Sequence, residues 1–173
     1  MIRKFTGAAI AAALFASAVP AAAHVTFEQR EAAVGSTYRA VLRVPHGCAG
    51  KATHTVHVRI PEGFFNVKPM PKVGWKLETL TGPYKNAYDS HGKQVTEGVR
   101  EIVWSGGNLP DEWYDEFIFR GTFAGDLPVD KALHFPVVQE CAGGEEAWID
   151  TTGGEEADFP APGVTLRAKK PAH

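Results

Sequence analysis

Sulfur is scarce in this 173-residue sequence, which contains two methionines and two cysteines. Met70 is the only methionine besides the first residue, so the clusters of soft thioether ligands that suit Cu(I) are absent. The sequence also lacks a G-x-S-x-G motif, a glycine-rich phosphate loop and an H-E-x-x-H motif. Hydrolase and nucleotide chemistry therefore have no support among its motifs.

An excess of positive charge is also missing, since 18 basic residues stand against 20 acidic ones. The basic residues do not cluster into a positively charged stripe, which argues against nucleic acid and anionic membrane surfaces as partners. Beyond residue 23 there is no long apolar segment. We therefore expect a mature protein without a membrane anchor.

Residues 1–23 have the three parts of a cleaved secretory signal. Two basic residues near the start precede an apolar run over 8–19, and three alanines follow at 21–23. The run is too short to span a bilayer, and the alanines are the small residues that a signal peptidase reads. We predict export to the periplasm and a mature chain that starts at His24, with 16 basic and 20 acidic residues.

The two cysteines, Cys48 and Cys141, are predicted to form a disulfide. An even cysteine count in an exported chain is typical of a disulfide, because oxidising compartments remove free thiols. The alternative is a pair of thiolate ligands for Cu(I). The absence of a C-x-x-C pair favours the disulfide.

The mature sequence is predicted to be all-β, with about eight short strands in an immunoglobulin-like sandwich. Apolar residues alternate along the predicted strands, and turn residues separate one strand from the next. No stretch keeps the 3.6-residue apolar period of a helix. One domain is expected over residues 24–158, followed by an extended tail over 159–173. The predicted strands cover residues 38–44, 53–60, 64–68, 75–80, 99–104, 116–123, 132–140 and 147–151.

An N-terminal histidine is the most informative candidate ligand. His24 would offer a metal its freed α-amine and its ring Nδ1, and such a nitrogen chelate suits Cu(II). His57 points outward from a predicted edge strand and would add an imidazole, although it also fits an exposed strand histidine. By parity His54 lies on the opposite, inward face, and His46 is assigned to a loop. The plain alternative for His24 is that it follows the cleavage site by chance.

Seven segments of the sequence resemble the YcnI-like family of bacterial copper-binding domains, and together they extend over most of the mature chain. The order and coverage of the similar segments make the resemblance specific. They are residues 24–27, 43–48, 58–63, 67–75, 102–107, 114–117 and 135–141.

The resemblance implies an extracytoplasmic immunoglobulin-like domain that holds Cu(II) through its N-terminal histidine. Carried over by position, this brace histidine is His24, and the tryptophan beside the metal is Trp148. The family's glutamate ligand falls on His57, which is a departure from the family pattern. His57 would then complete a two-histidine site, or the ligand set has moved, with His54 as the reserve candidate.

The leading expectation is a Cu(II)-binding protein for copper acquisition, delivery or tolerance, with other periplasmic or membrane copper-handling proteins as its partners. It is not expected to be an enzyme. Two alternatives remain: a copper-dependent oxidative enzyme with a brace site, and a metal-free module that binds a partner protein.

Overall fold

The computed structural model describes residues 24–152 and 157–170, and these two ranges contain twelve strands and no helix. The prediction of an all-β protein is confirmed. No helix of the described chain is long and apolar enough to cross a membrane. The predicted signal peptide, residues 1–23, lies outside the described residues. The strands are β1 (Thr26–Phe27), β2 (Glu31–Ala33), β3 (Thr37–Val44), β4 (Thr53–Arg59), β5 (Phe64–Pro69), β6 (Lys76–Ser90), β7 (Lys93–Leu109), β8 (Asp115–Phe123), β9 (Ala132–His134), β10 (Val137–Cys141), β11 (Gly144–Trp148) and β12 (Gly163–Arg167).

The strands form three sheets around one core. A four-stranded sheet has the order β1-β3-β8-β5, and a five-stranded sheet has the order β11-β10-β4-β7-β6. Between these two layers, Trp104 of β7 packs edge-on against Phe117 of β8, with ring centroids 5.4 Å apart. The third sheet, β2-β12-β9, adds buried residues to the same core. The apolar inward faces of the strands therefore meet in one sandwich, as the alternating sequence pattern predicts.

The predicted inward face of β3 is buried, as the alternation indicates. Tyr38, Ala40, Leu42 and Val44 are all at most 4% exposed. Strand β4 departs from its predicted parity, because its pairing with β7 shifts register between Thr53 and Thr55. His54 is consequently exposed, while Thr53 and Thr55 are buried. The prediction that His54 faces inward is wrong, because this bulge reverses which side chains point into the core.

The longest strands, β6 and β7, form a hairpin that extends well beyond the predicted segments. Its tip is the predicted turn, where His91 and Gly92 have φ angles of 54° and 79°. Two consecutive positive φ angles are the geometry of the tight turn that best joins twisted antiparallel strands. Gly82 and Pro83 indicated a turn that would end the strand. In the structure β6 continues through them to Ser90, and its pairing with β7 shifts register between Pro83 and Tyr88.

The predicted boundary between the domain and its tail is also wrong. Within the predicted tail, β12 pairs parallel with β2 and antiparallel with β9. Its side chains Val164 and Leu166 are buried in the main core. The prolines at 160 and 162 suggested an extended tail, but they precede β12 rather than prevent it. Residues 171–173 of the predicted tail lie outside the described residues.

Candidate functional site

His24 lies at one end of the sandwich, just ahead of β1. Strand β1 pairs antiparallel with β3, with Thr26 opposite Arg43. If this register continued by two residues beyond β1, it would lead from His24 to Pro45, the residue that precedes His46. His24 also lines a cavity of about 210 Å³ together with residues 25–27, Arg30 and residues 160–163. Both ends of the described chain therefore contribute to its surroundings.

Trp148 packs against the imidazole of His24. The two ring centroids are 5.7 Å apart and the ring planes are inclined at 60°. Trp148 ends β11 opposite Val137, and it is only 3% exposed. The resemblance implies that Trp148 lies beside the metal, and the structure shows its ring contact with His24. Trp148 also contacts the ring of Phe159, at 5.2 Å between centroids.

A buried carboxamide, that of Gln139, links Trp148 to the loop that follows β3. The Trp148 indole Nε1 donates a hydrogen bond to Gln139 Oε1 at 3.2 Å. Gln139 Nε2 donates in turn to the backbone carbonyl of His46 and to Thr53 Oγ1, both at 2.6 Å. Gln139 is fully buried, so these bonds satisfy polar groups that water does not reach.

The loop that carries His46 is held close to its neighbours. A side chain at Gly47 would place Cβ 2.0 Å from the carbonyl oxygen of Lys51, so only glycine fits. Cys48 and Lys51 exchange two backbone hydrogen bonds at 2.8 and 2.9 Å. The Cys48–Cys141 disulfide then ties this loop to the end of β10. The predicted disulfide is confirmed, and no described cysteine is free.

Two carboxylates face the His46 loop. Asp111 Oδ1 lies 4.0 Å from His46 Nδ1, and His46 Nδ1 also lies 2.5 Å from the carbonyl oxygen of Gly47. Glu146 sits opposite Gln139 in the β10–β11 pair, and its buried Oε2 has no hydrogen-bond partner among the described residues. Burial raises the pKa of the Glu146 carboxyl, His46 opposes this shift, and the negative charge of Asp111 adds to it.

His57 occupies a different surface from Trp148. Strand β4 lies in the middle of the five-stranded sheet, so the prediction that His57 belongs to an edge strand is wrong. Trp148 and Val58 both pair with Val137, so their side chains lie on the same face of the sheet. His57 is the neighbour of Val58 along β4 and therefore projects from the other face. There its Nδ1 lies 2.9 Å from Glu101 and its Nε2 lies 3.2 Å from Glu140.

The structure therefore joins His24 to Trp148, and Gln139 connects Trp148 to the His46 loop. Within residues 24–152 and 157–170, no three His, Cys, Asp or Glu side chains are placed to share one metal ion. A metal site here would need nitrogen donors from the backbone as well as from side chains. Such a site is compatible with a chelate in which one N-terminal histidine supplies two of the donors.

Sequence reasoning missed His46, Gln139 and Glu146. His46 was assigned to a loop, which is correct, but the pairing of β1 with β3, whose register leads from His24 toward this loop, could not be read from either segment alone. The other two had a usable signal. Positions 137, 139, 146 and 148 alternate along two strands joined by a glycine turn, which places them on one face.

The fold and this site define an immunoglobulin-like β-sandwich with a histidine and tryptophan pair at one end. Residues 24–166 match the family described as a domain of unknown function, DUF1775. The chain belongs to this family. The match includes most of β12, in agreement with the place of that strand in the core.

A solved structure supports the fold. An uncharacterized protein from Nocardia farcinica, described as having an immunoglobulin-like fold, has a TM-score of 0.63 and 22% identity, and the alignment covers 84% of this chain and 99% of that one. At this identity the likeness shows the fold alone, and the predicted immunoglobulin-like sandwich is confirmed. The seventh ScaB type I cohesin from Pseudobacteroides cellulosolvens has a TM-score of 0.40 and 10% identity over 87% of this chain and 95% of its own. That score is too low to carry an argument. No curated protein matches the chain significantly.

Proposed function

We propose that this protein is a periplasmic Cu(II)-binding protein whose site is built on His24. Removal of residues 1–23 would free the α-amine of His24, which together with its ring nitrogen forms a chelate for the ion. The observation that carries the proposal is the contact of the His24 imidazole with Trp148, at 5.7 Å between ring centroids. Cu(II) heads the divalent affinity order for such nitrogen donors.

We further propose His46, rather than His57, as the additional imidazole. The register of β1 and β3 leads from His24 to the residue before His46, whereas His57 lies on the opposite face of the β4 sheet from Trp148. An imidazole nitrogen is an acceptable donor for a tetragonal Cu(II) site, and His46 would join the two nitrogens of His24 without a third His, Cys, Asp or Glu side chain.

The surroundings of His24 favour binding over catalysis. Its cavity is about 210 Å³, smaller than the roughly 300–1,000 Å³ of typical small-molecule sites. Trp148 packs against the imidazole, and Pro160 and Pro162 line the cavity that His24 also lines. Export is supported by the Cys48–Cys141 disulfide and by a family match that begins at His24, because disulfides persist outside the cytoplasm.

The deciding experiment is a Cu(II) titration of the protein that starts at His24, beside the same protein with its α-amine acetylated. Tryptophan fluorescence and electron paramagnetic resonance report binding. We expect 1:1 binding with nitrogen hyperfine structure, lost on acetylation because the amine becomes an amide nitrogen that no longer completes the chelate. Equal binding by both proteins would overturn the His24 chelate. No binding by either would favour the metal-free partner-binding module.

A matched pair of substitutions tests the second imidazole. We expect His46→Ala to weaken Cu(II) binding at least tenfold, about 1.4 kcal/mol. His57→Ala should leave the affinity unchanged, because it removes an imidazole of similar exposure on the opposite face. The reverse ranking would restore His57 as the ligand.

A further inference from the structure

We propose that Gln139 is the positioning residue of this site, fixing both the His46 backbone and the Trp148 indole through one carboxamide. The inference rests on the proposed copper function and deepens it. Gln139 itself need not touch the metal. Its effect would pass through the two residues that it holds.

The hydrogen bonds of Gln139 leave only one orientation for its carboxamide. An indole N–H can only donate and a backbone carbonyl can only accept. The oxygen of Gln139 must therefore face Trp148 Nε1, and its nitrogen must face the carbonyl of His46. The second N–H meets Thr53 Oγ1 at 2.6 Å. Rotating the carboxamide by half a turn would bring donor against donor and acceptor against acceptor.

No other residue type reproduces these three bonds from this place in β10. Glutamate would keep an acceptor for Trp148 but would set a carboxylate oxygen against the carbonyl of His46. Methionine has a similar length but supplies no donor and only a weak acceptor. Each replacement leaves buried polar groups without partners, which costs about 1–3 kcal/mol for each group.

The disulfide reinforces the same connection. Cys48 follows His46 by two residues, and Cys141 follows Gln139 by two. The hydrogen bond from Gln139 to His46 and the covalent bridge thus join the same two segments, one beside the other. The bridge sets the distance between the segments, while Gln139 sets the position of the His46 carbonyl and of the indole plane of Trp148.

The test compares Gln139→Glu with Glu140→Gln in the protein that starts at His24. Glu140 is the next residue of β10 and its side chain contacts His57 on the opposite face, so it controls for a change in this strand. We expect Gln139→Glu to weaken Cu(II) binding about 10–100-fold, the usual effect of losing an outer-shell partner. The nitrogen hyperfine pattern should also change. Glu140→Gln should bind like the wild type.

A readout without metal accompanies the titration. The indole N–H resonance of Trp148, observed by ¹⁵N-edited NMR, should shift and exchange faster in Gln139→Glu than in Glu140→Gln. Gln139→Met serves the same purpose if the glutamate variant fails to fold, because it adds no buried charge. A folded Gln139 variant with the wild-type affinity and indole resonance would overturn the inference alone. No binding by the wild type would overturn the proposed function instead.

Discussion

The imidazole of His24 stands 5.7 Å from the indole of Trp148, although one residue precedes the first strand and the other ends the eleventh. This contact joins the start of the described chain to the five-stranded sheet. It makes Trp148 a reporter of whatever binds at His24, because the indole is buried and held by Gln139.

Trp148→Phe should separate the reporter from the ligands. Since an indole N–H is a donor and a poor metal ligand, we expect the variant to keep Cu(II) affinity within about tenfold of the wild type. Most of the fluorescence quenching on Cu(II) addition should disappear. Trp113→Phe, which alters an exposed tryptophan, should retain the quenching. Quenching that survives in Trp148→Phe would contradict a metal beside this indole.

Removing the disulfide should destabilise the fold and loosen the His46 loop. The two cysteines are separated by 93 residues, and losing such a bridge typically costs about 2–5 kcal/mol. We expect Cys48→Ala/Cys141→Ala to lower the urea midpoint and to weaken Cu(II) binding. Without copper present, adding a thiol reductant to this double variant should leave its urea midpoint unchanged, whereas the same reductant should lower the midpoint of the wild type. Unchanged stability would show that the loop is held by its other bonds.

Strand β12 should prove essential to stability. Leu166 is 1% exposed within the main core, and Leu→Ala changes at such positions cost about 2–5 kcal/mol. We expect Leu166→Ala to show this loss in urea unfolding. Lys169→Ala, just beyond the strand and exposed, should stay within about 0.5 kcal/mol of the wild type. Equal behaviour of the two variants would mean that β12 contributes little to the core.

Alkaline pH should act on the fold through Tyr38. Burial, with a smaller effect of the Glu28 charge, raises the pKa of Tyr38 to about 12, and its hydroxyl donates a hydrogen bond to the carbonyl of Gln29. The folded state therefore keeps a proton that the unfolded chain releases near pH 10. The stabilisation from Tyr38 is complete below about pH 10 and is lost as the pH rises toward 12.

Tyr38→Phe tests this pH dependence. We expect the variant to be about 1 kcal/mol less stable at neutral pH, because the hydrogen bond is lost. The gap to the wild type should narrow above about pH 10, as measured by urea unfolding across the range. Tyr114→Phe, at an exposed position, serves as the control. A constant gap at all pH values would show that the titration of Tyr38 does not contribute to stability.

Most of the fold could be predicted, because strand alternation is a local signal. The segments at 38–44 and 53–60 were both found, as was the turn at 90–92. Long-range pairing is not local. The bulge in β4 that exposes His54 arises where β4 meets β7 and β10, and β12 is recognisable as a strand only when β2 and β9 flank it.

The candidate site shows the same limit. His24 could be singled out from the processing signal, and Trp148 from the family resemblance. Carrying the family's glutamate over by position pointed to His57, because such a correspondence reflects only the position along one strand. Proximity to His24 depends instead on how β1 pairs with β3, and that pairing leads to His46.

The residues that surround His24 are synthesised at different times, because they lie far apart along the chain. Residues 160–163, which line its cavity, are made long after His24 itself. A growing chain therefore contains the histidine before the prolines that line its cavity and before Trp148. Folding of the last strand would complete these surroundings, so that the proposed metal site would form only when the domain is complete.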